Sequence, residues 1–532
     1  LENRVISDLN KGMIVLGDIE NPIKVSISQF YGIEVNDFAV TVAKTALWIA
    51  ESQMIQETES IVNMDIEFFP LKTNAYIHEG NALRIDWNDI IPSYKLSYIM
   101  GNPPFVGGMY MKPSQKSDLT SVCVDKNGIP FSKVGKLDYV SGWYVKTSQF
   151  IESTSIRVAF VSTNSITQGE QVACLWKPLF EQYNVQIDFA YQTFVWENES
   201  SSIARVHCVI IGFSSHESVK EKRIYINNTY KVVTNINAYL MGAPTVFVES
   251  RNTTLCKIPQ IHFGSMPRDG GWFILDENQK NDLISKTPNA RKWVHLYLGS
   301  REFLNNLQRW CLWLVNADPQ ELRKCPFVLD RIEKVKNFRL GSKAEGTRKF
   351  AKTPTLFCQI AQPDTNYIAI PKVSSEKRRY IPMGFLPPDV IASDLLFVVP
   401  YTNLYHFGVL ESNVHMAWMR TVAGRLKSDY RYSKDVVYNN FPWPTPTDSQ
   451  KERIEKTAQA ILNARKLYSN ASLADLYDET IMPSELRKAH QENDKVVMEA
   501  YGFDWHHMTE SDCVAELMKL YQKLVEEQDD KE

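Results

Sequence analysis

The stretch Leu96-Ser97-Tyr98-Ile99-Met100-Gly101-Asn102-Pro103-Pro104-Phe105 decides how the chain is read. Its first half is an apolar run of strand length and predicts a buried strand. Two consecutive prolines offer no N–H to a ladder and cannot enter a helix interior, so the chain leaves the sheet there in a rigid turn. That turn presents an amide side chain, a proline carbonyl and an aromatic ring at the carboxyl end of a strand. Two acceptors and a stacking face are what an amino-bearing purine requires. The plainer reading is a proline-stiffened surface turn.

Outward from this turn, residues 1 to about 215 alternate strand-like and helical segments. Phe30–Glu34, Leu96–Met100, Arg157–Ser162, Ile187–Ala190 and Val206–Phe213 read as strands. Asp37–Gln53, with Phe38, Val42, Ala46 and Ile49 at helical spacing, and Asp138–Phe150 read as helices. Such alternation predicts an α/β fold, a doubly wound, largely parallel Rossmann-like sheet that binds ligands beyond the carboxyl ends of its strands. Glu34, Asp86 and Asn102 fall at such ends. Glu34 suits ribose hydroxyls, as an acid closing the second strand of a nucleotide-binding unit does. Asp86 suits an adenine amino group, with Trp87 beside that ring. The plainer readings are an ordinary strand-end carboxylate for Glu34 and a helix cap for Asp86.

From about residue 240 to 440 the texture changes to short strands punctuated by Pro, Gly and aromatics, as in Met266–Gly271 and Ile381–Pro388. An α+β recognition domain is expected there. Phe441-Pro442-Trp443-Pro444-Thr445-Pro446 reads as a stiff linker, followed by amphipathic helices over Ser449–Tyr468 and Ser484–Tyr501. The domain expectation is therefore 1–235, 236–440 and 441–532.

The 532 residues are too many for one core and carry a net charge of −3, which excludes a protein basic throughout. Charge is nevertheless uneven. Between Arg331 and Lys352 eight basic residues face two acidic ones, and between Arg420 and Lys434 five face one. Such clusters suit phosphate neutralisation, although each alone also fits a solvated helix face. No apolar run reaches membrane-spanning length, so no membrane association is expected. The eight cysteines are scattered without zinc-ligand spacing, so no metal site is expected and reduced, cytoplasmic thiols are.

The order of segments resembles that of the gamma-class, amino-group-specific adenine DNA methyltransferases, and within them the MmeI-like restriction–modification enzymes. The resemblance runs through Gly101–Gly108, Leu137–Tyr144, Phe160–Gln171, Phe194–Glu199, Val373–Pro382 and Gly424–Ser433. It implies transfer of a methyl group from S-adenosylmethionine to adenine N6 in double-stranded DNA, by a monomer acting in a prokaryotic cytoplasm. Asn102, Pro103, Pro104 and Phe105 would then hold the target base, with Phe194 or Trp196 on its other face. Glu34, Asp86, Trp87, Asn102 and Tyr139 would bind the cofactor. Because Arg and Lys suit guanine while acids suit cytosine, Lys343, Glu345, Glu376, Arg378 and Tyr380 are expected to read bases. Arg348, Lys349, Arg425, Lys427 and Arg431 are expected on phosphates.

Two parts that the resemblance implies are not found in this sequence: a Gly-rich cofactor loop ahead of Glu34 and a nuclease with an Asp and Glu-x-Lys metal site. With no initiating Met, the start at Leu1 reads as that of a fragment or trimmed chain, with any nuclease outside it. Two alternatives stay open, a DNA-binding specificity module without catalysis and a methyltransferase acting on RNA or on protein glutamine.

Overall fold

Runs of aromatic and β-branched residues, separated by amphipathic helical stretches, build the first of two compact units. The computed structural model describes residues 2–10, 23–62, 74–197, 205–215 and 221–530. One unit comprises Leu1–Thr163, Cys174–Ala190 and Cys208–Glu221; the other comprises Asn164–Ala173, Tyr191–His207 and Lys222–Glu532. The expected residues Asn198 and Glu199 lie outside the described residues.

In the first unit, helices α1 (Glu2–Asn10) and α2 (Asp37–Val62) accompany strands β1 (Tyr31–Glu34) and β2 (Tyr76–Glu79). These strands pair in parallel, with Tyr31 opposite Tyr76 and their rings stacked at 4.9 Å. Strand β3 (Tyr98–Gly101) pairs in parallel with β4 (Arg157–Thr163), and β4 pairs antiparallel with β6 (Arg205–Ser214). Strand β5 (Gln186–Glu197) follows β6 in the sheet order β3-β4-β6-β5. The sheet is thus mixed rather than uniformly parallel, since β3 and β4 run parallel and β6 runs antiparallel to β4. Helices α3 (Pro113–Val122), α4 (Ser141–Phe150) and α5 (Glu170–Tyr183) complete the alternation. Behind β4, Tyr144, Phe160 and Phe213 form one fully packed aromatic cluster. Each buried phenylalanine there contributes about 1.5–3 kcal/mol relative to exposure.

Two expectations change. β3 is not a buried strand: Tyr98 and Met100 are 66% and 79% exposed. The apolar stripe of α2 likewise faces outward, with Phe38 73% exposed and Val42 and Ile49 also exposed. Period and composition place an apolar face correctly, but they do not say what covers it.

The second unit is α+β. One antiparallel sheet orders Gly384–Leu386, Tyr367–Pro371, Leu396–Pro400 and His262–Phe263. Another orders Ile274–Leu275, Trp310–Leu312, Val294–Leu298 and Ile391–Ala392. Its core joins Phe273, Trp293, Val328, Val335 and Phe357. Met266–Gly271 is a turn touching Gln359 through a single bridge at Met266, not a strand.

The C-terminal helices Asp448–Lys466 and Ser484–Tyr501 pack on one another, burying Ile454, Ala458 and Ile461. Arg465 donates to the fully buried Glu411 at 2.7 Å and to the Met383 carbonyl. Phe441, Pro442, Trp443 and Pro444 are buried, so the expected linker is an extended core segment. Proline rigidity alone does not distinguish the two; the aromatic payload between the prolines does. Among the described residues, no helix is long and apolar enough to cross a membrane.

Candidate active site and nucleic-acid interface

The turn at Asn102–Phe105 leaves the carboxyl end of β3 where Gly101 pairs with Phe160. Pro103 is buried, Phe105 is half-buried, and Asn102 and Pro104 are exposed. Just beyond the turn the chain is fixed by two bonds to the segment that opens α4. Gly108 N donates to Asp138 Oδ1 at 2.8 Å, and Tyr139 N donates to the Val106 carbonyl at 2.9 Å. The turn is therefore held by its neighbours as well as by its prolines.

Asp118, a buried carboxylate on α3, is the node beneath this arrangement. It accepts from Arg84 Nε at 2.7 Å, from Asn81 Nδ2 at 2.9 Å and from the Tyr139 hydroxyl at 3.3 Å. Burial and the Asp118 charge both push the Tyr139 phenol above its ordinary pKa, so it stays a neutral donor. Tyr139 also meets Trp143 edge to face at 5.2 Å. Helix α4 begins against Leu83, and a Cβ at Gly142 would lie 2.9 Å from a Leu83 methyl, so a larger residue there would push that side chain aside.

The loop after β2 is tied in turn to Glu34, whose carbonyl accepts from Gly80 N at 2.8 Å. Hydrogen bonds and short chain segments thus link the Glu34 backbone through Gly80 and Asn81 to Asp118 and Tyr139, and on to Val106 just beyond the turn at Asn102–Phe105. The Glu34 carboxylate is half-buried and accepts from Asn36 N at 3.1 Å. Asp86 caps a short 3-10 helix, accepting from Asn88 N at 2.9 Å, so the plainer reading describes its carboxylate. Trp87 donates from Nε1 to the Ala82 carbonyl at 2.9 Å and meets Phe150 edge to face. Sequence reasoning missed Asp118 and Asp138. Asp118 is an isolated acid that shows its importance only through partners up to 37 residues away, and Asp138, although inside the stretch Leu137–Tyr144, shows its role only through its bond to Gly108 N.

In the second unit, Phe194 and Trp196 project from β5 with ring centroids 6.3 Å apart. Glu376 and Arg378 follow the strand Val373–Ser374, which pairs with the hairpin Gly424–Leu426 and Asp429–Arg431. Of the residues expected on phosphates, Arg425 and Arg431 lie in this three-stranded sheet and Lys427 in its hairpin turn, while Glu376 and Arg378, expected to read bases, lie in the loop that follows Val373–Ser374. Arg425 lies 3.7 Å over the Tyr430 ring and 3.9 Å from Glu376. Arg378 is half-buried, and burial lowers its pKa.

Tyr380 must be withdrawn as a base reader. It is 2% exposed, donates to Asp494 Oδ2 at 2.6 Å and stacks on His490 at 4.1 Å. Lys343, Glu345, Arg348 and Lys349 sit apart from that sheet, on and before the short exposed helix Glu345–Lys349. Glu345 pairs with Lys349 at 3.1 Å, and Arg348 donates to the Ser342 and Lys343 carbonyls at 2.8 Å. Both contacts are local helix and loop chemistry.

Comparison with known proteins fixes the class. Models of the MmeI methyltransferase, target recognition and C-terminal domains match residues 1–226, 242–445 and 446–528. The chain superposes on the type IIL restriction–modification enzyme MmeI, solved in complex with DNA, with a TM-score of 0.86 and 44% identity. That match covers 99% of this chain and 70% of MmeI. The chain therefore belongs to the MmeI family, with its methyltransferase, target recognition and C-terminal parts. It is also 40% identical over 519 residues to DNA methyltransferase A of Bacillus subtilis (strain 168), covering 96% of this chain. It spans 58% of the length of that curated relative.

Proposed function

We propose that the chain is a site-specific adenine-N6 DNA methyltransferase using S-adenosylmethionine, the modification and specificity part of a restriction–modification enzyme. The observation that carries this reading is the hydrogen-bonded path joining Glu34, Asp118 and Tyr139 to the turn at Asn102. It links the Glu34 backbone and the loop after β2, through Asp118, to Tyr139 and to the segment that follows the exposed Asn102.

The residues present fit the cofactor. Glu34 suits ribose hydroxyls, while Trp87 and Tyr139 supply apolar wall beside the loop after β2. Asp86 contributes through the turn that it caps. Bound S-adenosylmethionine supplies an electrophilic methyl group; the chain supplies position.

A target adenine must leave the duplex, at an unstacking cost of a few kcal/mol. Stacking on an aromatic side chain returns about 1–3 kcal/mol, and Phe105 provides such a ring. Asn102 Oδ1 and the Pro103 carbonyl accept the two amine hydrogens. Those bonds draw the nitrogen lone pair out of conjugation and oppose the positive charge that grows as nitrogen is methylated. Pro104 keeps the turn from relaxing. Glu376, Arg378, Arg425, Lys427 and Arg431 contact DNA from this hairpin and the loop after Val373–Ser374, with Lys343 and Lys349 a second contact. The partner places the protein at the nucleoid, in the cytoplasm.

The test supplies the intact protein with methyl-labelled S-adenosylmethionine and three acceptors: duplex DNA, structured RNA and a protein mixture. Label is expected in duplex DNA. Label confined to RNA or protein contradicts the proposal, and duplex binding without any transfer favours the non-catalytic alternative.

A further inference from the structure

In the second unit the turn Pro267–Trp272 lies on the helix Pro326–Leu340 in an unusual way. Arg268 has φ +43°, followed by Gly270 at +68° and Gly271 at +87°. Glycine adopts this region freely and arginine does not. At Gly270 a Cβ would also lie 2.7 Å from the Phe338 ring.

Two buried arginines of that helix, eight residues apart and so on one face, hold the turn from beneath. Arg339 donates to the carbonyls of Pro267 at 2.8 Å and Arg268 at 3.1 Å, and also to those of Phe350, Thr353 and Leu356. Arg331 donates to the carbonyls of Trp272 and Ile274. Asp269, itself buried, accepts from Gly271 N and Phe273 N. Arg331 and Arg339 thus bring two guanidinium groups beneath the turn, beside the Asp269 carboxylate.

Above it the surface is aromatic and basic. Arg268, Trp272 and Phe338 are exposed. Lys334, which also pairs with Asp330, sits 4.6 Å over the Trp272 ring. Arg268 makes two side-chain contacts, to Thr347 Oγ1 at 3.2 Å and to Met266 Sδ. The left-handed backbone of this exposed arginine, held from below through its carbonyl by Arg339, fixes where its cation is presented.

We propose that this turn is a preformed contact for the phosphate backbone of duplex DNA, with Arg268 as its phosphate ligand and Arg339 as the positioning residue. The inference rests on the DNA-binding reading above and adds a contact that the basic runs alone do not single out. A phosphodiester offers the oxygens a guanidinium binds, and the flanking Trp272 and Phe338 rings suit sugar faces.

The test is duplex binding by the intact protein, without cofactor, at several salt concentrations. Arg268→Gly and Arg268→Asn both tolerate the left-handed backbone and remove the charge. Each should weaken binding roughly five- to tenfold near 0.1 M salt and reduce the slope of log K against log salt by about 1. Arg268→Gly should keep or raise the Tm, because strain is released. If the unaltered protein binds DNA and whichever variant folds binds identically, the turn proposal fails while the methyltransferase reading stands. A lowered Tm with unchanged binding makes Arg268 purely structural. No duplex binding by the unaltered protein removes both.

Discussion

The turn at Asn102 and the basic run Arg331–Lys352 are both sites of expected chemistry, and they are built in opposite ways. At Asn102 the polar side chain is exposed and its support is delegated to others: two prolines, Asp138, and the path through Asp118. Within the basic run the same residue type does both tasks. Arg331 and Arg339 are buried scaffolding, whereas Lys343 and Lys349 are exposed. Backbone-defined motifs therefore carry their meaning in sequence order, while charge runs acquire theirs only from burial.

The largest effect that sharpens this contrast is at Asn102. Asn102→Ala should lower methyl transfer by about 10²–10³-fold, the scale for losing one preorganised polar contact to a reacting group. Duplex affinity and Tm should stay within error, since truncating an exposed side chain leaves no cavity. Equal losses of transfer, affinity and Tm would make the turn merely structural.

Next comes Arg339→Leu, which removes five hydrogen bonds, the Phe350 and Thr353 carbonyls keeping a backbone donor, and should destabilise the protein by about 3 kcal/mol or more in urea unfolding. In the same run Lys349→Ala should stay within about 0.5 kcal/mol. Comparable values for the two would erase the distinction between buried and exposed members.

Asp118→Ala should cost about 1–3 kcal/mol through its three lost partners and weaken cofactor affinity measured by calorimetry. Unchanged cofactor affinity would detach the path from the site.

The smallest effect concerns pH. Burial holds the His415 pKa down at about 3, against an ordinary 6.5, so its neutral form stabilises the folded state above pH 6.5. That contribution is lost as pH falls from 6.5 toward 3, because the unfolded chain binds the proton first. Asp494, raised to about 6 by burial, acts oppositely: its folded form takes up a proton between about 6 and 3.8, which favours folding. His415→Gln keeps a partner for Tyr432 and should flatten the fall in Tm between pH 6.5 and 4. Parallel Tm curves for the two proteins would contradict this.

Much of the fold is legible in the sequence. Ser484–Tyr501 is a helix over the expected span, and Arg157–Thr163 is a strand one residue longer than expected. The Asn102 turn lies at the end of β3 because prolines act locally. What stays hidden depends on distant partners. Arg339 reads as one more surface cation until Pro267 and Arg268, some seventy residues earlier, supply its acceptors. Tyr380 reads as a recognition aromatic until Asp494 closes over its hydroxyl. The buried segment Phe441–Pro444 reads as a spacer because proline periodicity does not report burial.

The central claim is that the Asn102 turn grips the exocyclic nitrogen of adenine. Its most direct test is to digest methylated duplex DNA to nucleosides and identify the product by mass spectrometry. The account predicts N6-methyladenosine as its deoxynucleoside, reduced about 10²–10³-fold with Asn102→Ala. A methylated cytosine, on nitrogen or carbon, would contradict it.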